Sequence, residues 1–92
     1  WKNKFNLEDS LFAGVLARIV LEADNFETIC DATNAALDLY NTAENGLMDY
    51  IQKVAQRERL RKNKLDDVIE YCHTFNQTSI IPVLQDDYLK IL

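Results

Sequence analysis

Apolar and small residues recur at Ile29, Thr33, Ala36, Tyr40, Ala43, Leu47, Tyr50 and Val54. Steps of three and four keep one face of an α-helix in line. Phe26, Leu37, Leu39, Ile51 and Ala55 widen this stripe to about half the circumference of a helical wheel. Glu27, Asp31, Asn34, Asp38, Asn45, Asp49, Gln52 and Gln56 occupy the other half. The pattern predicts one long helix over about residues 26–62, roughly 52 Å at 1.5 Å per residue. Asn45-Gly46 is the strongest turn dipeptide in the chain. Because the stripe stays in phase from Tyr40 through Ala43 to Leu47, the expectation there is a kink and not a loop. Glu44 intrudes on the apolar arc, which marks either a gap between packing partners or a pair with a base on a neighbouring helix.

Before this stretch, Leu11, Phe12, Val15, Leu16, Ile19 and Val20 give a first helix, Leu7 to about Ala23, a broad apolar face. Asn6 is its N-cap, and Glu8 and Asp9 sit in the first turn, where the helix dipole favours acids. Ala13, Gly14 and Ala17 form a small-residue patch. A mid-helix glycine costs about 1 kcal/mol against alanine, a cost that a close approach to Ala32, Ala35, Ala36 and Ala43 would justify. After it, Lys64 to about Phe75 reads as a third helix capped by Asn63. Ser79 opens a fourth, with Pro82 tolerated in its first turn. The predicted fold is all-α: an antiparallel bundle of about four helices around the long central one, in a single domain over residues 1–92. A first residue of Trp1, not Met, reads as a domain excised from a larger protein.

Composition supports long elements, since two glycines and one proline leave few turns. A net charge of −5 disfavours a general nucleic-acid binder. The charge is blocked, however: residues 50–64 hold six bases and one acid, between two acidic flanks. Cys30 and Cys72 make no disulfide framework and read as small buried thiols of an intracellular, reducing compartment. No apolar run approaches the roughly 20 residues of a membrane span.

The inventory of reactive groups is thin. His73 is the only histidine, so multi-histidine metal sites are excluded. A Cys72–His73 pair on a helix diverges by about 100°, and His73 reads as a boundary residue near a carboxylate. There is no phosphate-cradling glycine loop, zinc spacing or calcium loop. The sequence therefore predicts no enzyme, no catalytic or metal-ligating residue and no cofactor. The leading expectation is a non-catalytic protein–protein interaction or assembly scaffold, binding a partner helix or a subunit of a larger complex in an apolar groove. Arg57, Arg59, Arg61, Lys62 and Lys64 would set electrostatic register, with Tyr50, Tyr88, Leu89 and Leu92 as apolar contacts. The alternative is nucleic-acid or phosphate binding through Arg57–Lys64.

Overall fold

A computed structural model describes residues 2–92, so Trp1 lies outside the described residues. Helix α1, Leu7–Leu21, begins as its sequence dictates: the Asn6 side chain accepts hydrogen bonds from the amides of Glu8 and Asp9 at 3.0 and 3.3 Å. It ends at Glu22, whose amide still bonds the Arg18 carbonyl at 3.0 Å. Residues 26–30 are not helical. There the Thr28 hydroxyl accepts from the Cys30 amide at 3.1 Å, offering the backbone a local alternative to the helix.

The expected helix over 26–62 is broken into pieces. Helix α2, Asp31–Ala43, runs into a 3-10 turn, Glu44–Gly46, then α3, Leu47–Tyr50, and a second 3-10 turn, Ile51–Lys53. Gly46, at φ −156° and ψ 50°, departs from helical geometry where Asn45-Gly46 stands. The turn is tight and the stripe holds its phase across it: Ala36, Tyr40, Ala43, Ile51 and Val54 are all buried. The decisive break comes at Val54, which is extended at ψ 131° before α4, Ala55–Lys62. A branched side chain loses little in an extended backbone, and burial of Val54 anchors the change of direction.

Helix α1 crosses α2 at Gly14. A side chain there would collide with the Ala36 carbonyl and come within 2.7 Å of the Tyr40 Cβ, so only glycine permits this spacing. Arg18 spans the same crossing, with its guanidinium 4.8 Å from the Tyr40 ring centroid and an ion pair to Glu44. Of the two readings of Glu44, pairing with a neighbouring base holds. The core joins Leu11, Ala43, Ile51, Val54 and Ile69, with Leu7, Leu39, Leu47, Tyr50 and Leu60 packed against it.

Helix α4 closes with Lys64 in the left-handed region at φ 59°. The Lys64 amide bonds Arg61 O at 3.0 Å and the Leu65 amide bonds Leu60 O at 2.8 Å, the paired pattern of a Schellman cap. Lys64 thus ends one helix instead of beginning the next. The expected third helix shrinks to a 3-10 turn, Asp66–Val68, and α5, Ile69–Cys72.

The expected fourth helix is absent. In its place β1, Pro82–Gln85, pairs antiparallel with β2, Tyr88–Ile91, around Asp86-Asp87. Two apolar four-residue runs about a two-residue polar turn are a hairpin signal, and Ile80-Ile81 add β-branched character. The all-α prediction is corrected accordingly: the fold is mostly helical with a small two-stranded antiparallel sheet. Both cysteines are exposed and unbridged, against the expectation of buried thiols. No helix among the described residues is long and apolar enough to cross a membrane.

Candidate functional site

The first turn of α1 and the residues after α5 face each other across a cleft of about 480 Å³. Its ionisable groups include Glu8, Asp9, His73 and the Cys72 thiol, set against an apolar wall that includes Phe12, Tyr40 and Phe75. The Asn6 cap fixes the position of Glu8 and Asp9 by ordering the first turn. His73 follows α5, with its amide on the Ile69 carbonyl at 3.1 Å.

The imidazole is oriented by a second bond to the same turn. Nδ1 lies 2.8 Å from the Ile69 carbonyl oxygen, a pure acceptor, so Nδ1 carries a proton and donates it there. Nε2 is left to face Glu8, 3.9 Å from its carboxylate oxygen. The His73 side chain is only 14% exposed and that of Glu8 35%. A half-buried imidazole with one nitrogen fixed and the other aimed at a carboxylate can take up or release a proton at Nε2.

Beneath this pair lies a void of about 10 Å³ bounded by Glu8, His73, Arg57 and apolar side chains, about the space of one water. The Arg57 side chain is 15% exposed, and its Nη2 is 3.7 Å from Asp66. Its Nε and Nη1 are buried without a hydrogen-bond partner. A buried guanidinium with unsatisfied donors thus stands behind the carboxylate and the histidine. Among the described residues no three of His, Cys, Asp and Glu gather in a metal-holding geometry.

The residues singled out from the sequence as partner-binding lie on or beside three elements, α3, α4 and β2. Arg57 points into the core as described, and Arg61 and Lys62 pair with Glu58 at 3.4 and 3.9 Å on the same helix. Arg59 is half-buried and Lys64 is the α4 cap. Tyr50 is half-buried beneath Lys53, whose Nζ lies 3.9 Å from the ring centroid. Tyr88 and Leu89 lie on β2, and Leu92 follows it, all three exposed. The Glu8–His73 pairing went unread in the sequence because 65 positions separate the two residues. The available signal was two acids at the second and third positions after a capping asparagine, together with a lone histidine near a helix end.

Residues 1–87 match the family model described as 2-phosphosulpholactate phosphatase. A relative from Gloeobacter violaceus, named "Probable 2-phosphosulfolactate phosphatase", is 33% identical over 82 residues, covering 89% of this chain and 33% of its own length. Relatives of the same name from Synechocystis sp. and Gloeothece citriformis are 30% and 26% identical, covering 89% and 94% of this chain and 34% and 36% of their own lengths. The chain thus spans about a third of the curated relatives it matches. No solved structure matches. These matches overturn the expected non-catalytic interaction scaffold, its nucleic-acid alternative and the expectation of no enzyme. That expectation rested on an inventory of motifs, and a site assembled from isolated residues of distant segments leaves no motif. With nearly its whole length matched, the chain belongs to the 2-phosphosulpholactate phosphatase family.

Proposed function

We propose that the protein is a phosphatase that hydrolyses the phosphate ester of 2-phosphosulfolactate, the substrate for which its relatives are named, and that this segment contributes the proton-transfer part of the site. Hydrolysis breaks the bond between phosphorus and the ester oxygen. Water supplies the new oxygen on phosphorus, and a proton must reach the departing alkoxide. The observation that carries the reading is His73, with Nδ1 held by Ile69 O and Nε2 3.9 Å from the carboxylate of Glu8, both residues lining the cleft. In this reading His73 acts as the imidazolium: Nε2 gives its proton to the leaving oxygen, and the ring is left neutral with Nδ1–H on Ile69 O. The proton shed by the attacking water restores Nε2, and Glu8 orients the ring by accepting from Nε2 beforehand. The substrate is a polyanion and the cleft presents Glu8 and Asp9, so further cationic groups belong to the two thirds of the family's length that this chain does not span.

The test is phosphate release from 2-phosphosulfolactate by a chimera in which residues 1–92 replace the matched third of the Gloeobacter violaceus relative. His73→Asn keeps a donor to Ile69 O but cannot titrate; kcat is expected to fall about 10²–10⁴-fold with an unchanged thermal midpoint. Glu8→Gln is expected to lower kcat with an unchanged thermal midpoint. A kcat within twofold of the parent in both variants rejects the assignment.

A further inference from the structure

The chain exposes 7689 Å², whereas a self-standing folded protein of 10.7 kDa exposes about 5,500 Å². Its radius of gyration is 15.2 Å, against about 12 Å for a compact chain of this length. The surplus, about 2,200 Å², is more than twice the roughly 800 Å² that one partner contributes to a standard complex. It is an area of the kind found inside a fold, and the hairpin is where its apolar part has a defined face.

In the register Pro82↔Ile91 and Leu84↔Leu89, the four side chains share one side of the sheet, and all are apolar. The other side carries Val83, Gln85, Tyr88 and Lys90. Leu84, Leu89 and Ile91 are 74%, 73% and 70% exposed, and the strands make their main contacts with each other. A lone two-stranded hairpin is marginal in water. Among the described residues no third strand joins it, and no helix ranks among its main contacts.

The hydrogen-bond phase shows which edge is open. The Leu92 amide bonds Ile81 O at 2.9 Å, so the bonded pairs are 81/92, 83/90 and 85/88, and position 82 faces outward. Pro82 therefore blunts the outer edge of β1, because it has no N–H to offer. On β2 the outward amides belong to Leu89 and Ile91, and among the described residues no strand pairs with that edge.

We propose that the outer edge of β2 and the apolar face Pro82/Leu84/Leu89/Ile91 dock onto the polypeptide that makes up the other two thirds of the relatives' length, which adds a strand beside β2. The occupant is chosen over a second copy by amount: the relatives are about three times as long as the matched segment, and the surplus is of intramolecular size. A second copy pairing β2 to β2 would cover the hairpin alone and leave the exposed Phe12, Leu16 and Ile19 of α1 in water.

Amide hydrogen exchange reads the proposal independently of phosphate release, so the fate of His73 does not bear on it. In the chimera, the Leu89 and Ile91 amides are expected to exchange at least about 100-fold more slowly than in the 92-residue chain alone. The same protection is expected when the chain is mixed with the separately produced remainder of the relative, in a 1:1 complex. Leu84→Lys should abolish the complex and the protection together while leaving the α1 and α2 amides unchanged. Three results overturn the proposal: Leu89 and Ile91 exchanging freely in both formats; a concentration-dependent dimer of the chain alone that protects them equally; or an undisturbed complex with Leu84→Lys.

Discussion

The α1–α2 crossing makes the sharpest quantitative test, because one missing methyl group sets it. On helix propensity alone, Gly14→Ala should stabilise the protein by about 1 kcal/mol. The crossing opposes this. The added Cβ meets the Ala36 carbonyl, which is backbone and cannot swing aside, and comes within 2.7 Å of the Tyr40 Cβ. Carbon atoms in ordinary contact sit at about 3.5–4.0 Å, so the helices must part by roughly 1 Å, and a gap of that size forfeits a quarter to a half of each contact's attraction. Overpacking of this kind costs about 1–3 kcal/mol, and the rigid backbone obstacle places Gly14 at or above the upper end. The net expectation is a loss of about 2 kcal/mol or more after the propensity gain of about 1 kcal/mol. That corresponds to a thermal midpoint at least about 8–16 °C lower for a domain of this size. Far-UV circular dichroism in a urea series and a thermal scan measures it. The control is Gly46→Ala, where an added methyl meets nothing within 4 Å, expected to stay within about 0.5 kcal/mol of the parent. A Gly14→Ala protein at least as stable as the parent would show that the helices do not approach so closely and refute the argument.

Lys64→Gly should raise stability by about 1 kcal/mol, read as a higher urea midpoint at unchanged slope, because a left-handed C-terminal residue with a side chain carries a strain that glycine avoids. Arg57→Met should be neutral or stabilising by about 1 kcal/mol, since it removes a buried cation whose Nε and Nη1 lack partners. The same variant should lower phosphate release, if the charge behind Glu8 and His73 matters to the site; unfolding and turnover measured together separate the two effects. Cys30 stands at the head of α2, and interactions with the Thr33 hydroxyl, then the Thr33 and Ala32 amides, hold its thiol below the ordinary range, although its side chain forms no cap hydrogen bond. Depression of an acid's pKa means thiolate at lower pH, so the pH midpoint of iodoacetamide labelling should lie below that of an unperturbed thiol and move up in Thr33→Val. An unmoved midpoint would remove Thr33 from the account.

What the sequence made legible was local and rested on side chains acting within one turn. Asn6 capped α1 because its oxygen reaches amides two and three residues ahead, a relation visible in any window of four. Gly14 against the alanines of α2 was legible because small residues on two stripes have few other uses. The broken helix was half legible: Asn45-Gly46 bent the chain as its turn chemistry indicates, without disturbing the stripe. Val54 was not legible, because a valine on an apolar stripe fits a buried helix and a buried extended residue equally well. The pairing of Glu8 with His73 was invisible for a different reason: it depends on where α5 ends, and α5 is one turn long.

The hairpin shows why periodicity misled at the C-terminus. Val83, Leu84, Tyr88, Leu89, Ile91 and Leu92 follow one another in steps of one, four, one, two and one, which fit neither period cleanly, so the apolar pattern alone could not separate helix from strand. Positions 86 and 87 decide the matter. Two aspartates between apolar runs disfavour a helix interior and accept turn geometry, and Asp86 indeed sits at φ 53°. An apolar run that looks too greasy for a solvated tail is equally a run awaiting cover. In a segment that spans a third of its relatives, the surface left bare after the local rules are satisfied points to the residues that local rules cannot reach. Under the docking proposal, the exposed face of the sheet and the acid-lined cleft are two parts of one surface that the rest of the relatives' length would cover.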